Sequence, residues 1–114
     1  MKISTKGLLL RIFVGEDDRI DGKLAYKKIL EILREYDIAG ATVLRGIMGY
    51  GASSRIHKSS ILALSSDLPI VIEVVDQEDK IQLILPIMED LIPSGLITLE
   101  KVQIIKYLSN NQKH

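Results

Sequence analysis

The sequence predicts an α+β fold with the element order β-α-β-β-α-β, and the pattern of apolar residues supports it. Two stretches, 8–14 and 70–75, alternate in the way typical of strands. Two others, 25–36 and 81–92, repeat apolar residues at helical spacing, and glycine or proline residues follow each of them. This order is the split βαβ arrangement of the ferredoxin-like fold, a four-stranded antiparallel sheet with two helices on one face.

The first half of the chain supplies a strand, a helix and a second strand. The even-numbered residues of 8–14 are all apolar and share one face. Asp21 precedes the helix, where its carboxylate could cap the free N–H groups. The second strand is expected over Ala41–Met48. The predicted buried stripe of the helix consists of Ala25, Ile29, Ile32, Leu33 and Tyr36.

The second half repeats the scheme with three irregular points. Leu68-Pro69 opens the third strand, and Asp76 at its end is the next candidate helix cap. Pro86 lies within the second helical stripe, which predicts a kink or an interrupted turn. In the last strand the apolar parity changes between residues 99 and 102, which predicts a bulge near Lys101.

The sheet face away from the helices is predicted to be apolar around two opposite charges. Arg11 and Glu73 lie on neighbouring strands of the expected sheet and would meet there. A monomer rarely exposes so much apolar sheet, so we expect this face, with Arg11 and Glu73, to form an oligomer interface. The apolar residues around the pair are Leu9, Phe13, Val71 and Val75.

Composition argues against several classes of function. Lys and Arg together count 15, as do Asp and Glu, so no basic excess favours nucleic-acid binding. The chain has no cysteine, which fits a reducing cytoplasm. No apolar stretch approaches the ~20 residues of a membrane span, so no membrane insertion is expected. His57 and His114 share no ligand spacing, so no metal site is expected.

The segment 45–55 is the strongest candidate for a binding site. Gly46, Gly49 and Gly51 allow close approach of the backbone to a ligand, and free N–H groups can bind anionic oxygens. Arg45 and Arg55 would neutralise the charge of such a ligand. A turn with solvated charges explains the same residues equally well. The connection over 49–67 is long for a compact domain, which favours a functional or mobile loop.

Three motifs of the chain stand out, namely Arg11-Ile12-Phe13-Val14-Gly15-Glu16, the run from Gly40 to Gly51, and the run from Asp67 to Asp76. They resemble the DUF190, or UPF0166, family over nearly the whole chain, and that family is similar to the PII nitrogen-regulatory signalling proteins. The resemblance implies one domain over 1–114, with 49–67 in the place of the PII T-loop. It also implies a homotrimer that binds adenine nucleotides between subunits, with Thr42 near the adenine and Gly49 and Gly51 near the phosphates.

Two departures from PII bear on the ligand. Ala52-Ser53 stands where PII has an Arg-Gln pair that holds 2-oxoglutarate, and the glycine-rich B-loop shrinks to Pro93-Ser94-Gly95-Leu96. A triphosphate would therefore meet fewer cationic partners, Lys101 and Lys106 being the basic residues left on the last strand.

The sequence therefore predicts a regulatory sensor of a small anionic metabolite, with an adenine nucleotide as candidate ligand, no required cofactor and no enzymatic activity. A protein target could bind through the 49–67 loop. Two alternatives stay open. One is a small enzyme that uses Arg45, Arg55 and His57 on a phosphorylated or carboxylated substrate. The other is an adaptor that needs no ligand.

Overall fold

The computed structural model describes residues 5–51 and 67–108, and their elements confirm the predicted α+β, ferredoxin-like fold. Most of the 49–67 connection, including Arg55 and His57, lies outside the described residues. Neither described helix is long and apolar enough to cross a lipid bilayer. The elements are β1 (Thr5–Gly15), β2 (Arg19–Ile20), β3 (Lys23–Leu24), α1 (Ala25–Glu35), β4 (Ala41–Arg45), β5 (Pro69–Gln77), α2 (Glu78–Leu91) and β6 (Leu96–Ile104).

The four long strands form one antiparallel sheet in the order β4-β5-β1-β6. Within it Arg11 on β1 lies directly opposite Glu73 on β5, as the sequence predicts. The short strands β2 and β3 pair with each other as a separate hairpin.

The hydrophobic core lies between the sheet and the two helices, which share one face. The even-numbered residues of β1 and β5 point into this layer because side chains alternate along a strand. Ile29 of α1 and Ile84 of α2 are fully buried there. The other sheet face, here called the open face, carries the odd-numbered residues of β1 and β5. The largest fully buried side chains are Leu10, Ile12, Ile29, Leu33, Ile72, Ile81, Ile84 and Met88.

Asp21 does not cap α1, contrary to expectation. It lies in the turn of the β2–β3 hairpin with a φ of 51°, followed by Gly22 at 81°. Asp-Gly favours such a two-residue turn because both central positions need positive φ. Leu24 occupies the N-cap position, and the Ala25 N–H donates to the Asp18 carbonyl at 2.7 Å.

Asp76 does not cap α2 either, because β5 runs on to Gln77. Its carboxylate accepts hydrogen bonds from the backbone N–H groups of Ala39, at 2.9 Å, and of Gln77, at 2.7 Å. Asp76 therefore joins the end of β5 to the loop between α1 and β4.

Helix α2 continues through Pro86, so the predicted interrupted turn is wrong. Pro86 lies on the exposed side of the helix. The carbonyl of Gln82, which loses its helical partner to the proline ring, can therefore bond to water.

Strand β6 contains no bulge, since it pairs with β1 in one uninterrupted register. Leu99 lies opposite Leu10 on the helix side, whereas Val102 lies opposite Gly7 on the open face. The apolar residues of β6 therefore change from odd to even numbers because the first of them face the helices and the last of them face the open side of the sheet. Ile104 packs over Gly7, where a Cβ atom would lie 2.6 Å from Ile104 Cδ1.

Strand β4 is shorter than predicted and ends at Arg45. The Gly46 N–H still donates to the Pro69 carbonyl at 2.7 Å. Ile47 and Met48 then leave the sheet and are exposed.

Candidate functional site

A charged group occupies the centre of the open face. Arg11 Nε donates to Glu73 Oε2 at 2.9 Å, and Arg11 Nη1 donates to Glu100 Oε1 at 2.9 Å. The hydrogen bond to Glu73, followed by that to Glu100, raises the pKa of the Arg11 guanidinium above its ordinary value. One arginine thus holds two carboxylates, and this charged group retains a formal negative charge.

Apolar side chains surround this charged group. Leu44 is 47% exposed, Val75 41% and Leu96 54%. Leu9, Phe13 and Val71 are half-buried on the same face. A face that exposes so many large apolar side chains of one sheet is typical of a protein interface.

One end of the open face borders a cavity of about 640 Å³. It lies where the α1–β4 loop meets the start of β4, the ends of β5 and β6 and the segment that follows β6. Its size falls within the roughly 300–1,000 Å³ of small-molecule sites. Its lining residues are Thr5, Ala39, Gly40, Ala41, Thr42, Glu73, Val75, Asp76, Gln77, Ile104, Lys106 and Tyr107.

Hydrogen bonds hold the α1–β4 loop in place beside the cavity. The Asp76 carboxylate fixes the Ala39 N–H, and the Tyr107 hydroxyl donates to the Ala39 carbonyl at 3.3 Å. Lys80 Nζ donates to the Asp37 carbonyl at 2.6 Å. The loop that precedes Thr42 is therefore tied to β5, to α2 and to the C-terminal segment.

The structure separates the predicted binding residues within one chain. Thr42 lines the cavity, opposite Glu73 in the sheet. Arg45 lies at the other end of β4, about 10 Å away at the usual rise of a strand. There its Nε contacts Glu16 Oε2 at 3.2 Å.

Two of the predicted glycines pack on Pro69 at that same end of β4. A Cβ atom on Gly46 would lie 2.8 Å from Pro69 Cγ, and one on Gly49 would lie 3.1 Å from it. The Gly46 N–H is bonded to the Pro69 carbonyl, so it is not the free donor that the sequence predicts. Gly51 has open space around its Cα. Arg55, the remaining predicted residue, lies outside the described part of the chain.

Three residues of these sites were not among the predicted ones. Glu100 completes the charged group, and Asp76 and Tyr107 border the cavity. The position of Glu100 depends on the register of β6 with β1. Tyr107 lies in the short segment 105–108 after the last strand, where no sequence pattern indicates that the chain approaches the α1–β4 loop.

Comparison with known proteins identifies relatives of the whole domain. The DUF190 family model, described as Uncharacterized ACR, matches residues 7–104. A UPF0166 protein of Aquifex aeolicus (strain VF5) is 45% identical over 100 residues, which cover 88% of this chain and 94% of that protein.

Solved structures with the same fold carry the description PII-like. A PII-like signalling protein from Thermus thermophilus superposes with a TM-score of 0.60 at 17% identity, covering 90% of this chain and 92% of the other. CPII from Thiomonas intermedia K12, bound to ADP and bicarbonate, superposes with a TM-score of 0.54 at 18% identity, covering 91% and 93%. At these identities the likeness concerns the fold. With a family model spanning residues 7–104 and a relative 45% identical, this chain belongs to the DUF190 (UPF0166) family and has a PII-like fold.

Proposed function

We propose that this protein is a PII-like regulatory protein that binds an adenine nucleotide in the cavity beside Thr42. It works as a homotrimer without enzymatic activity and requires no cofactor. Bound ligand changes the 49–67 connection, through which the protein signals to a protein target. The protein works in the cytoplasm, the reducing compartment that the cysteine-free sequence fits.

The cavity is the observation that carries this proposal. It holds Thr42, the residue that the resemblance to PII places near the adenine, and it is large enough for a nucleotide. CPII has the same fold and has been seen with bound ADP. A small anionic metabolite other than a nucleotide is the broader form of the same hypothesis.

The open face supports the trimer. Its apolar side chains would leave water on association, and the excess carboxylate of the charged group would gain a cationic partner from a neighbouring copy. Because the cavity borders this face, association would also place a second subunit beside the ligand.

The start of the 49–67 connection supports the signalling role. Ile47, Met48 and Tyr50 are 92%, 73% and 80% exposed at the base of this connection. Large apolar side chains in such positions are suited to contact a partner protein. These residues come directly after β4. A ligand that contacts Thr42 on β4 would therefore touch the strand that leads into the 49–67 connection.

Calorimetry on the full chain with ADP, AMP and ATP tests the proposed function. A ligand at about 100 times its Kd stabilises the folded state by roughly 2.7 kcal/mol, so a clear rise in Tm is expected with at least one of them. Thr42→Val should weaken binding. Thr98→Val makes the same change on the open face outside the cavity. Because Thr98 lies on the face proposed for association, the sedimentation of this variant is first compared with that of wild type, and at equal assembly it should bind as the wild type does. A wild-type protein that binds none of the three, and carries no ligand in native mass spectrometry, would favour the adaptor instead.

A further inference from the structure

The segment that follows β6 forms one wall of the cavity. Residues 105–108 have no regular secondary structure, and Lys106 and Tyr107 both line the cavity. The hydrogen bond from the Tyr107 hydroxyl to the Ala39 carbonyl joins this segment to the α1–β4 loop. Because β6 and β4 are the two edge strands of the sheet, residues 105–107 must cross the end of the sheet for the Tyr107 hydroxyl to meet Ala39.

Tyr107 brings a flat apolar surface to this wall. Its side chain is 47% exposed, so the packing of the single chain leaves much of the ring uncovered. Val75 and Ile104 add further apolar surface to the lining. A half-exposed ring in such a cavity suits a planar heterocycle. Any nucleobase can stack on an aromatic side chain, because every base has a flat π-face.

The charges of the cavity limit the charge of the ligand. Glu73 and Asp76 contribute two carboxylates, and Lys106 contributes one ammonium group. Glu73 is bonded to Arg11, and Asp76 accepts two backbone N–H groups, whereas Lys106 has no ion pair within residues 5–51 and 67–108. Among the described residues of one chain, this lining has one available cation beside two carboxylates. It can hold a single phosphate, but a triphosphate would add repulsion.

We infer that Tyr107 and Lys106 select a nucleoside monophosphate in this cavity, the base packing on Tyr107 and its one phosphate pairing with Lys106. This inference rests on the proposed function and narrows it in two ways. It adds Lys106 and Tyr107 of the C-terminal segment to the residues that bind the ligand. It also predicts a higher affinity for a nucleoside monophosphate than for a triphosphate.

Calorimetric titration of the full-length protein with adenosine, AMP and ATP, without divalent cations, tests this inference. Wild type should bind AMP more tightly than adenosine, and ATP no more tightly than AMP. Tyr107→Ala should lower the affinity for adenosine and for AMP alike, by about 5-fold to 100-fold, because both ligands lose the stacking surface. Tyr107→Phe keeps the ring and should stay within about 3-fold of wild type, since an exposed neutral hydrogen bond contributes little. Lys106→Gln should lower the affinity for AMP by about 5-fold to 20-fold and leave the affinity for adenosine unchanged.

Matched controls separate these effects from general loss of structure. Tyr36→Ala removes a tyrosine at the end of α1 that is 40% exposed, although the sequence predicts it in the buried stripe of the helix. Lys27→Gln removes an exposed lysine of α1, and neither residue lines the cavity. Both controls should bind like wild type. If wild type binds AMP but Tyr107→Ala and Lys106→Gln bind it equally well, or if ATP binds more tightly than AMP, the inference is wrong while the proposed function stands. If wild type binds none of the three compounds, the inference is wrong; the proposed binding of an adenine nucleotide is wrong as well only if ADP also fails to bind.

Discussion

At the scale of single residues, Gly95 marks a point where the backbone leaves no room for a side chain. It has a φ of 146°, and a Cβ atom there would lie 2.4 Å from the Phe13 carbonyl oxygen. Phe13 pairs with Leu96 at the start of β6, so this contact determines how closely β6 approaches β1. Gly95, one of the glycine and proline residues that follow the predicted second helix, therefore lies directly before the last strand.

Gly95→Ala should destabilise the protein by about 1–3 kcal/mol, because the new methyl group meets backbone and the conformation is unfavourable for an L-residue. Urea unfolding followed by circular dichroism measures the change in the free energy of unfolding. Gly40→Ala is the control, since a Cβ atom there meets nothing within 4 Å and φ is not in the left-handed region. The control should stay within about 0.5 kcal/mol of wild type. Equal stability of the two variants would show that β6 can shift at no cost.

At the scale of elements, α2 shows that amphipathic spacing prevailed over a local helix breaker. Ile81, Ile84 and Met88 are fully buried against the sheet, on both sides of Pro86 in the chain. Burial of a large apolar side chain contributes about 1.5–3 kcal/mol. Three such side chains together exceed the cost of about 3 kcal/mol for one proline in a helix. The helix therefore continues through the proline.

Pro86→Ala should raise the free energy of unfolding by about 1–2 kcal/mol. Alanine restores the hydrogen bond to the Gln82 carbonyl, and the greater freedom of the unfolded chain offsets part of the gain. Chemical denaturation measures the effect, with Gln82→Ala as control because that side chain is exposed in the same helix. A Pro86→Ala protein less stable than wild type would mean that the proline ring makes packing contacts that alanine cannot replace.

At the scale of the whole molecule, the two faces of the sheet differ in what covers them. The helices bury the side chains of β1 and β5 on one face, whereas the open face keeps its charged group at 34–64% side-chain exposure among partly exposed apolar residues. A second copy of the chain is the covering that the proposed function requires. The charged group would then lie inside the assembly, where an unpaired carboxylate is costly.

We expect the wild-type protein to sediment at three times its 12.7 kDa chain mass at micromolar concentration. Glu73→Ala removes the carboxylate that Arg11 Nε contacts and should shift the distribution towards monomer. Glu31→Ala, on α1 and away from the open face, breaks an exposed pair with Lys23 of β3 and should leave the trimer intact. Analytical ultracentrifugation separates these outcomes. A stable wild-type monomer under these conditions would contradict the trimer.

The sequence alone determined the fold class and the central pair Arg11–Glu73. The alternating residues of β1 and β5 and the helical stripes were sufficient, because burial of one face imposes a period of two on strands and of 3.6 on helices. Local signals were less reliable. Asp21 and Asp76 both have the chemistry of a helix cap. In the structure, however, Asp21 forms the turn of the β2–β3 hairpin, and Asp76 lies within β5 and bonds to the α1–β4 loop.

Only the tertiary structure decided which residues share the cavity. Thr42, Asp76 and Tyr107 are far apart in the chain. They share the cavity because the start of β4 pairs beside the end of β5, and because the segment after β6 bonds to the α1–β4 loop through Tyr107. Thr42 and Arg45 are three positions apart and lie at opposite ends of one strand. Neighbours in sequence along an extended strand move apart by about 3.3 Å per residue, whereas sheet pairing and loop closure bring distant residues together. Sequence patterns report burial, but the geometry of a binding site depends on this long-range pairing.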